Sequence, residues 1–339
     1  MNQPFTPRRL LLPLIPLYRS ALAYRELRLR LGFEPVRRLR FPVVSVGNLS
    51  TGGSGKTPLT IALAKLLTER GLHVDVLSRG YGRESQLAAQ VNPEGSAKEF
   101  GDEPLLIARE AGLPVFVASQ RYEAGLLAEA EEQQAAENRQ PAVHLLDDGF
   151  QHRQLARDVD ILLLDRRDWQ DGLLPAGNLR EPLRAARRAS VIAIPANEPA
   201  LEGELRRWGW KKPIWRLKRV MEIPAENGTV AVFCGIARPE QFFAGIKAAG
   251  FEIALQRAFP DHHSYTARDL ERLAAAARAT GASALLTTEK DLVRLGKLAS
   301  ELPRSLPIRT VHLRVEIEDQ DAAIDWLLGQ LLPLKKKAT

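Results

Sequence analysis

The sequence predicts an α/β protein. Its main part is a parallel sheet with helices on both faces, and a smaller α/β unit is joined to it by a two-stranded ribbon. Three observations lead there. Short apolar runs of about five to seven residues alternate with helical stretches through the first part of the chain, the pattern of a parallel sheet buried on both sides. The alternation restarts near residue 225 over a shorter span. Two extended stretches, about 214–223 and 308–317, flank that second span and suit a paired ribbon. With 339 residues the chain has room for two domains of ~100–200 residues.

In chain order, residues 41–47 (Phe-Pro-Val-Val-Ser-Val-Gly) read as a buried strand entering a glycine-rich turn, followed by a helix over 57–69. Further strands are expected at 73–78, 114–118, 142–147, 159–165 and 190–195, with helices at 103–111 and 121–137. The Ala/Glu/Gln-rich stretch 124–137 reads as a solvated helix surface. In the second unit, 229–234, 251–256 and 283–287 read as strands, and 238–249 and 267–280 as helices. A last helix, 320–332, is expected to return to the first unit. The division is an arm (1–40), a core (41–213), a second α/β domain with its flanking hinge strands (214–317), and a C-terminal helix with a basic tail (318–339).

Hydrophobic residues make up 45% of the chain and charged residues 26%, the balance of a soluble globular protein rather than a disordered one. The single cysteine, Cys234, excludes a disulfide framework and a thiolate zinc site, and is consistent with a reducing compartment. The net charge is +7. Residues 1–40 hold nine arginines and two acids, Glu26 and Glu34, so the whole excess sits in the arm. Such a block binds something anionic, nucleic acid or a lipid headgroup layer. Leu10, Leu11, Leu12, Leu14, Ile15 and Leu17 crowd the same segment. Pro13 and Pro16 interrupt them, and the run is far short of the ~20 residues of a spanning helix. Leu17, Tyr18, Ala21, Leu22 and Leu29 then fall near one helical face, which favours a helix lying in a membrane interface over a basic helix packed on the protein itself. No small-residue cleavage site follows, so a cleaved signal peptide is not expected.

The strongest signal is Ser50-Thr51-Gly52-Gly53-Ser54-Gly55-Lys56-Thr57, between an expected strand and an expected helix. Glycines there let backbone N–H groups converge on phosphate oxygens, and the helix N-terminus adds partial positive charge. Lys56 suits the β- and γ-phosphates and Thr57 a Mg²⁺ ion. The strict pattern has glycine where this chain has Ser50. With this loop, the sheet is of the P-loop NTPase type. Its expected second half, an acid at the end of a neighbouring strand, is met by Asp147 and Asp148, which serve either as metal ligands or as simple helix caps.

On the acceptor side, Asp102 and Glu103 open a helix. Asp102 reads equally as an N-cap or as the group that orients or deprotonates an attacking hydroxyl, with Glu103 beside it for the metal. Arg79 and Tyr81 in Ser78-Arg79-Gly80-Tyr81-Gly82-Arg83, Arg121 after a third strand, and Arg180 in a proline-flanked loop suit recognition of substrate phosphate. Asp261-His262-His263 stands out because the chain has six histidines in all. Asp-His-His also occurs in paired-metal phosphoesterases, but their further Asp/His motifs are missing here.

These residues resemble the tetraacyldisaccharide 4′-kinase family, the lipid A 4′-kinases of Gram-negative bacteria. The matching pieces are the loop 50–58, Ser78–Arg83, Gly101-Asp102-Glu103-Pro104, Leu146-Asp147-Asp148-Gly149-Phe150-Gln151-His152, Leu179-Arg180-Glu181-Pro182, Asp261-His262 and Thr287-Thr288-Glu289-Lys290-Asp291, in family order. The resemblance implies ATP- and Mg²⁺-dependent phosphorylation of the 4′-hydroxyl of a tetraacylated glucosamine disaccharide 1-phosphate, in lipopolysaccharide synthesis. It implies that Asp102 and His262 activate the hydroxyl, that Glu103 with Asp147 or Asp148 serves the metal, and that Tyr81 and Arg180 meet the substrate headgroup. It implies a peripheral protein on anionic lipid at the cytoplasmic face of the inner membrane, with no obligatory protein partner. It assigns no role to the 287–291 run.

The alternative from another class is a membrane-associated P-loop ATPase switch without a lipid acceptor. A GTPase is disfavoured, because in Thr288-Glu289-Lys290-Asp291 the lysine falls one place later than a guanine motif requires. No recognisable nucleic-acid module accompanies the basic arm, so a nucleic-acid partner is not expected.

Overall fold

A computed structural model describes residues 7–135, 141–226, 228–301 and 305–331. The basic tail expected at 332–339, the last two residues of the helix expected to reach 137, and the side chains of Arg8 and Arg9 lie outside the described residues.

The arm forms a 3₁₀ turn over Pro7–Leu14 and then α1 (Ile15–Arg30). The core follows as β1 (Val43–Asn48), α2 (Lys56–Glu69), β2 (His73–Ser78), β3 (Ala89–Gln90), α3 (Ala97–Phe100), α4 (Asp102–Ala111), β4 (Val115–Val117), α5 (Arg121–Ala135), β5 (Ala142–Asp147), β6 (Val159–Leu163), α6 (Arg166–Gln170), β7 (Val191–Pro195) and α7 (Pro199–Arg207). The rest is β8 (Ile214–Glu222), β9 (Val230–Cys234), α8 (Pro239–Ala248), β10 (Ile253–Ala258), α9 (Ala267–Ala279), β11 (Ala284–Thr288), α10 (Glu289–Leu295), β12 (Ile308–Ile317) and α11 (Gln320–Leu331).

All twelve strands join one sheet, in the order β10-β9-β11-β12-β8-β7-β6-β1-β5-β2-β4-β3. Neighbours are parallel except at two places, β3 on β4 at one edge and β8 on β12. The β8/β12 pair is the expected ribbon, with Glu222 opposite His312 and Leu217 opposite Ile317. It carries the sheet from the first unit into the second without a break. β1 lies between β5 and β6, so the turn after Asn48 opens at the carboxyl end of the sheet, where open α/β sheets bind ligands.

Alternation along the strands sends apolar side chains to both faces. Val44, Val46, Val74, Val76, Val143 and Leu145 meet Leu59, Leu63 and Leu67 of α2, Leu105 and Ala108 of α4, and Ile324 and Leu327 of α11. The other face carries α5 through Ala124 and Ala128, and α7 through Leu201 and Leu205. Leu59 and Leu63 are fully buried, each contributing ~1.5–3 kcal/mol. α11 does return to the first unit, where Arg70 pairs with Asp321 and Asp325, and Trp326 meets Trp215 edge to face.

Two expectations change. The stretch 124–137 is not a solvated surface throughout. Ala124, Gly125, Ala128 and Glu129 are buried, and a Cβ at Gly125 would strike Leu39, so α5 lies close on the core. The apolar face expected on α1 is divided. Tyr18 and Leu22, with Ile15, pack on the core, whereas Leu17 is 71% exposed and Ala21 is also exposed. The Tyr18 hydroxyl donates to the Arg180 carbonyl, and Arg25 to the Gln151 carbonyl and Glu181, so the protein's own surface claims one side of the helix.

Candidate active site

The loop after β1 has the conformation a phosphate cradle requires. Gly52 and Gly55 adopt φ of 88° and 89°, a region costly for residues with a Cβ. Ser50 does not adopt that backbone, which is why a serine fits where the strict pattern has glycine. Its buried hydroxyl accepts a hydrogen bond from Asn48 Nδ2 (3.1 Å) and ties the start of the loop to the strand. Lys56 Nζ lies 3.1 Å from Asn48 Oδ1 and 3.6 Å from Asp148 Oδ1.

Asp147 and Asp148 end β5 beside this loop. Asp147 is buried and accepts from Thr60 Oγ1 (3.3 Å). Burial, with Glu103 and Asp148 close by, pushes it up to about 7. Asp148 has φ 48°, which turns its carboxylate out of the strand onto Arg180, whose two terminal nitrogens fork onto it at 3.0 and 2.9 Å. Burial alone would raise Asp148, but Lys56 and Arg180 outweigh it and hold the carboxyl well below the usual range. Arg180 also bonds Asn48, so it stands beside the cradle. Arg121 is buried, and burial followed by the nearby Arg79 lowers its guanidinium to about 10. Its Nε and the Ser54 hydroxyl have no hydrogen-bond partner among the described residues.

The acid pair at the head of α4 meets the second unit. Gly101, not Asp102, precedes the helix as its cap residue, and Asp102 is the first helical residue. Asp102 Oδ1 accepts from the Glu103 N–H (2.9 Å) and Oδ2 lies 3.0 Å from His262 Nδ1. Arg294 Nε donates to the same Oδ2 at 2.7 Å. Glu103 pairs with Lys290 of α10. Burial is the largest influence on Asp102 and would raise it. The His262 hydrogen bond and the charges of Lys290 and Arg294 together hold it well below the usual range. Lys290, with Lys56, holds Glu103 low against its burial. His262 is raised, first by its bond to Asp102. It sits at φ 58°, and the Tyr81 ring, 66% exposed, lies 5.5 Å from its imidazole. His263 faces elsewhere, stacked on Phe259 and bonded to Asp269.

The second unit also closes over the cradle. Arg219 of β8 donates to the Ser54 carbonyl (2.7 Å), and Arg238, paired with Asp165, lies against Gly53.

With phosphate loop, strand-end acids and an Asp–His pair in one cleft, comparison with known proteins becomes specific. The family model described as Tetraacyldisaccharide-1-P 4'-kinase (LpxK) matches residues 7–332. The chain belongs to the tetraacyldisaccharide 4′-kinase family. A tetraacyldisaccharide 4'-kinase of Koribacter versatilis is 42% identical over 327 residues, covering 93% of this chain and 97% of that one. One of Geobacter metallireducens is 39% identical over 84% of this chain and 88% of its own. A crystal structure of LpxK from Aquifex aeolicus, described as an "apo" form in complex with ATP, is 32% identical. It covers 96% of this chain and 100% of its own, with a TM-score of 0.73.

Within this family member, several partners of the site escape sequence reasoning. Lys290 belongs to the 287–291 run that carried a resemblance without a role, and its place is on Glu103. Asp291 of the same run accepts from the Gly235 N–H and the Tyr265 and Thr288 hydroxyls. Arg294, Arg219 and Arg238 belong to no motif, and only the folded chain brings them to the cleft.

Proposed function

We propose that this chain transfers the γ-phosphate of ATP to the 4′-hydroxyl of a tetraacylated glucosamine disaccharide 1-phosphate, at a membrane surface. The observation that carries the reading is the Asp102–His262 pair at the head of α4, beside a phosphate loop and strand-end acids. Such a pair is the machinery for taking a proton from an alcohol. ATP hydrolysis without a lipid acceptor, the alternative above, does not match the family.

The cradle fits a nucleotide. Gly52 and Gly55 hold the left-handed backbone of a phosphate loop, the Ser54 hydroxyl has no hydrogen-bond partner among the described residues, and we assign Lys56 to the β- and γ-phosphates. We assign Thr57, Glu103, Asp147 and Asp148, which offer only oxygen donors, to Mg²⁺. When bound, that ion neutralises charge on the phosphates. Arg79, Tyr81, Arg121 and Arg180 are the residues we assign to the substrate's anionic headgroup. Arg121, whose Nε has no hydrogen-bond partner among the described residues, and Tyr81, exposed beside His262, suit this best.

In the transfer step, Asp102 Oδ2 faces Nδ1 of His262, which keeps its hydrogen, and Nε2, with Asp261 Oδ2 3.9 Å away, carries the lone pair. Nε2 takes the 4′-hydroxyl proton, the oxygen bonds to the γ-phosphorus, and the bond to the β–γ bridging oxygen breaks to release ADP.

The acyl chains remain in the bilayer, and the arm brings the enzyme to them. Leu10, Leu11, Leu12, Leu14 and Leu17 are exposed beside the arginines. No helix among the described residues is long and apolar enough to cross a membrane. We assign the chain to anionic lipid at the cytoplasmic face of the inner membrane. We read it as an arm (1–40), a core (41–213), a second domain with hinge strands (214–317) and a returning helix with tail (318–339). The deciding experiment is ATP turnover with and without the disaccharide lipid. Phosphorylated lipid in the first case and little ADP in the second are expected. Equal ADP release in both would overturn the reading.

A further inference from the structure

We infer that Arg294 is a positioning residue for phosphotransfer: it locks the Asp102 carboxylate in the orientation that aims His262 at the acceptor hydroxyl. The inference rests on the kinase reading above.

Arg294 lies on α10, 192 positions from Asp102, and its side chain is 5% exposed. Its guanidinium points into the protein. Nε and Nη2 both reach Asp102 Oδ2, Nη1 donates to the Gly235 carbonyl and to Asp291 Oδ1, and Nη2 also lies 3.3 Å from His262 Nδ1. A guanidinium so buried, with four of its five N–H groups on Asp102, Asp291 and the Gly235 carbonyl, is spent on the protein, so it acts through Asp102. Arg294 is itself anchored by Asp291, which the Gly235 N–H, the Tyr265 hydroxyl and the Thr288 hydroxyl hold in place. The second unit therefore presents a rigid plane, Asp291 to Arg294, against a carboxylate carried by the first. His262 comes from the same unit, with its backbone N–H donating to Asp261 Oδ1 and its ring beside Tyr81. The Glu103 N–H holds Oδ1 of the Asp102 carboxylate, and the two nitrogens of Arg294 hold Oδ2, the oxygen that faces Nδ1. A carboxylate that turned away would leave Nδ1 without its acceptor and Nε2 without a defined direction. Orientation errors of this kind lower turnover while leaving ground-state binding intact.

The test is steady-state phosphotransfer with Arg294→Met and Arg294→Lys, alone and in Asp102→Asn and His262→Ala backgrounds. Arg294→Met should lower kcat by roughly 10- to 100-fold with KM for ATP and lipid within about twofold. Arg294→Lys should recover part of the loss, and guanidinium ion added to Arg294→Met should do the same. In the Asp102→Asn background, Arg294→Met should cost less than about twofold more, because its target is already disabled. Wild-type kcat in folded Arg294→Met, or losses that multiply in the double variants, would overturn the proposal. If Arg294→Met does not fold, Arg294→Lys with the same double-variant comparison decides. Absence of lipid phosphorylation by the wild type would instead defeat the kinase reading, a different result.

Discussion

The Asp102 carboxylate and the His262 imidazole, 160 positions apart in the chain, lie 3.0 Å apart across the junction of the two units. One comes from the head of α4, the other from the loop after β10. The pair exists only when the β8/β12 ribbon brings both units to the same cleft. Asp102→Asn keeps the size of the side chain but removes the charge that holds Nδ1–H. It should lower kcat by about 100-fold or more while KM for ATP stays within about threefold, and His262→Ala should show a comparable or smaller loss. Unchanged kcat in Asp102→Asn would reduce the residue to a helix-terminus carboxylate.

Lys56 is the one ammonium at the cradle loop, held between Asn48 and Asp148. Lys56→Ala should abolish phosphotransfer without unfolding the chain, because the charge that meets the transferring phosphoryl group is lost. Circular dichroism and activity measured together check this, and near-wild-type turnover in a folded variant would contradict the cradle assignment.

A metal role for the acids makes a separate prediction. Asp147 lies next to Glu103 and Asp148, and crowding of this kind is relieved by a divalent ion. Chelation should stop the reaction and added Mg²⁺ restore it, while Asp147→Ala or Asp148→Ala should not be rescued by more Mg²⁺. Turnover that persists in chelator with no divalent ion would remove the metal roles.

The order of strands and helices was legible because apolar runs bounded by turn residues leave a local imprint. The phosphate loop and the acid pairs were legible because their spacing is fixed along the chain. Arg294 and Lys290 were not, since their meaning lies in where α10 lands against α4, a contact 187 to 192 residues away in sequence. The split face of α1 was hidden for the same reason. Its residues look equally apolar in sequence, and only the surface beneath decides that Tyr18 and Leu22 are covered and Leu17 is not. Of the two readings open for Asp102, the cap reading came from the preference of acids for helix starts, yet Gly101 holds the cap position and the carboxylate meets the second unit.

His144 gives the stability a pH dependence of definite sign. It is fully buried on β5, with Nδ1 2.7 Å from Asp75 and Nε2 3.4 Å from Glu129, while Glu132 and Arg40 lie nearby. Burial opposes its charge, but Asp75 and then Glu129 prevail and push it from the usual 6.5 up to about 9. A raised folded value means the imidazolium contributes fully below about 6.5, and the contribution is lost as pH rises through about 9. The span corresponds to roughly 3 kcal/mol. Urea midpoints should fall between pH 6.5 and 9.5 in the wild type. That slope should flatten in His144→Gln, which should also be less stable at neutral pH because two buried carboxylates lose their partner. An identical slope in the variant would assign the dependence to other groups.

The arm should carry the membrane contact through two forces that salt separates. Each arginine near an anionic leaflet contributes ~1 kcal/mol, and this part weakens as the Debye length shortens. The exposed leucines supply a remainder that salt does not touch. Binding to anionic vesicles should therefore be partly reversed by salt and lost on deletion of residues 1–30. Because Tyr18, Leu22 and Arg25 dock α1 on the core, that deletion also bares protein surface, so a second variant is needed. Replacing Leu10, Leu12 and Leu17 with serine leaves the docking side intact, and should remove the salt-resistant part of binding while ATP turnover on detergent-dispersed lipid persists. Vesicle binding as strong as wild type in both variants would make the arm structural and place the membrane contact elsewhere.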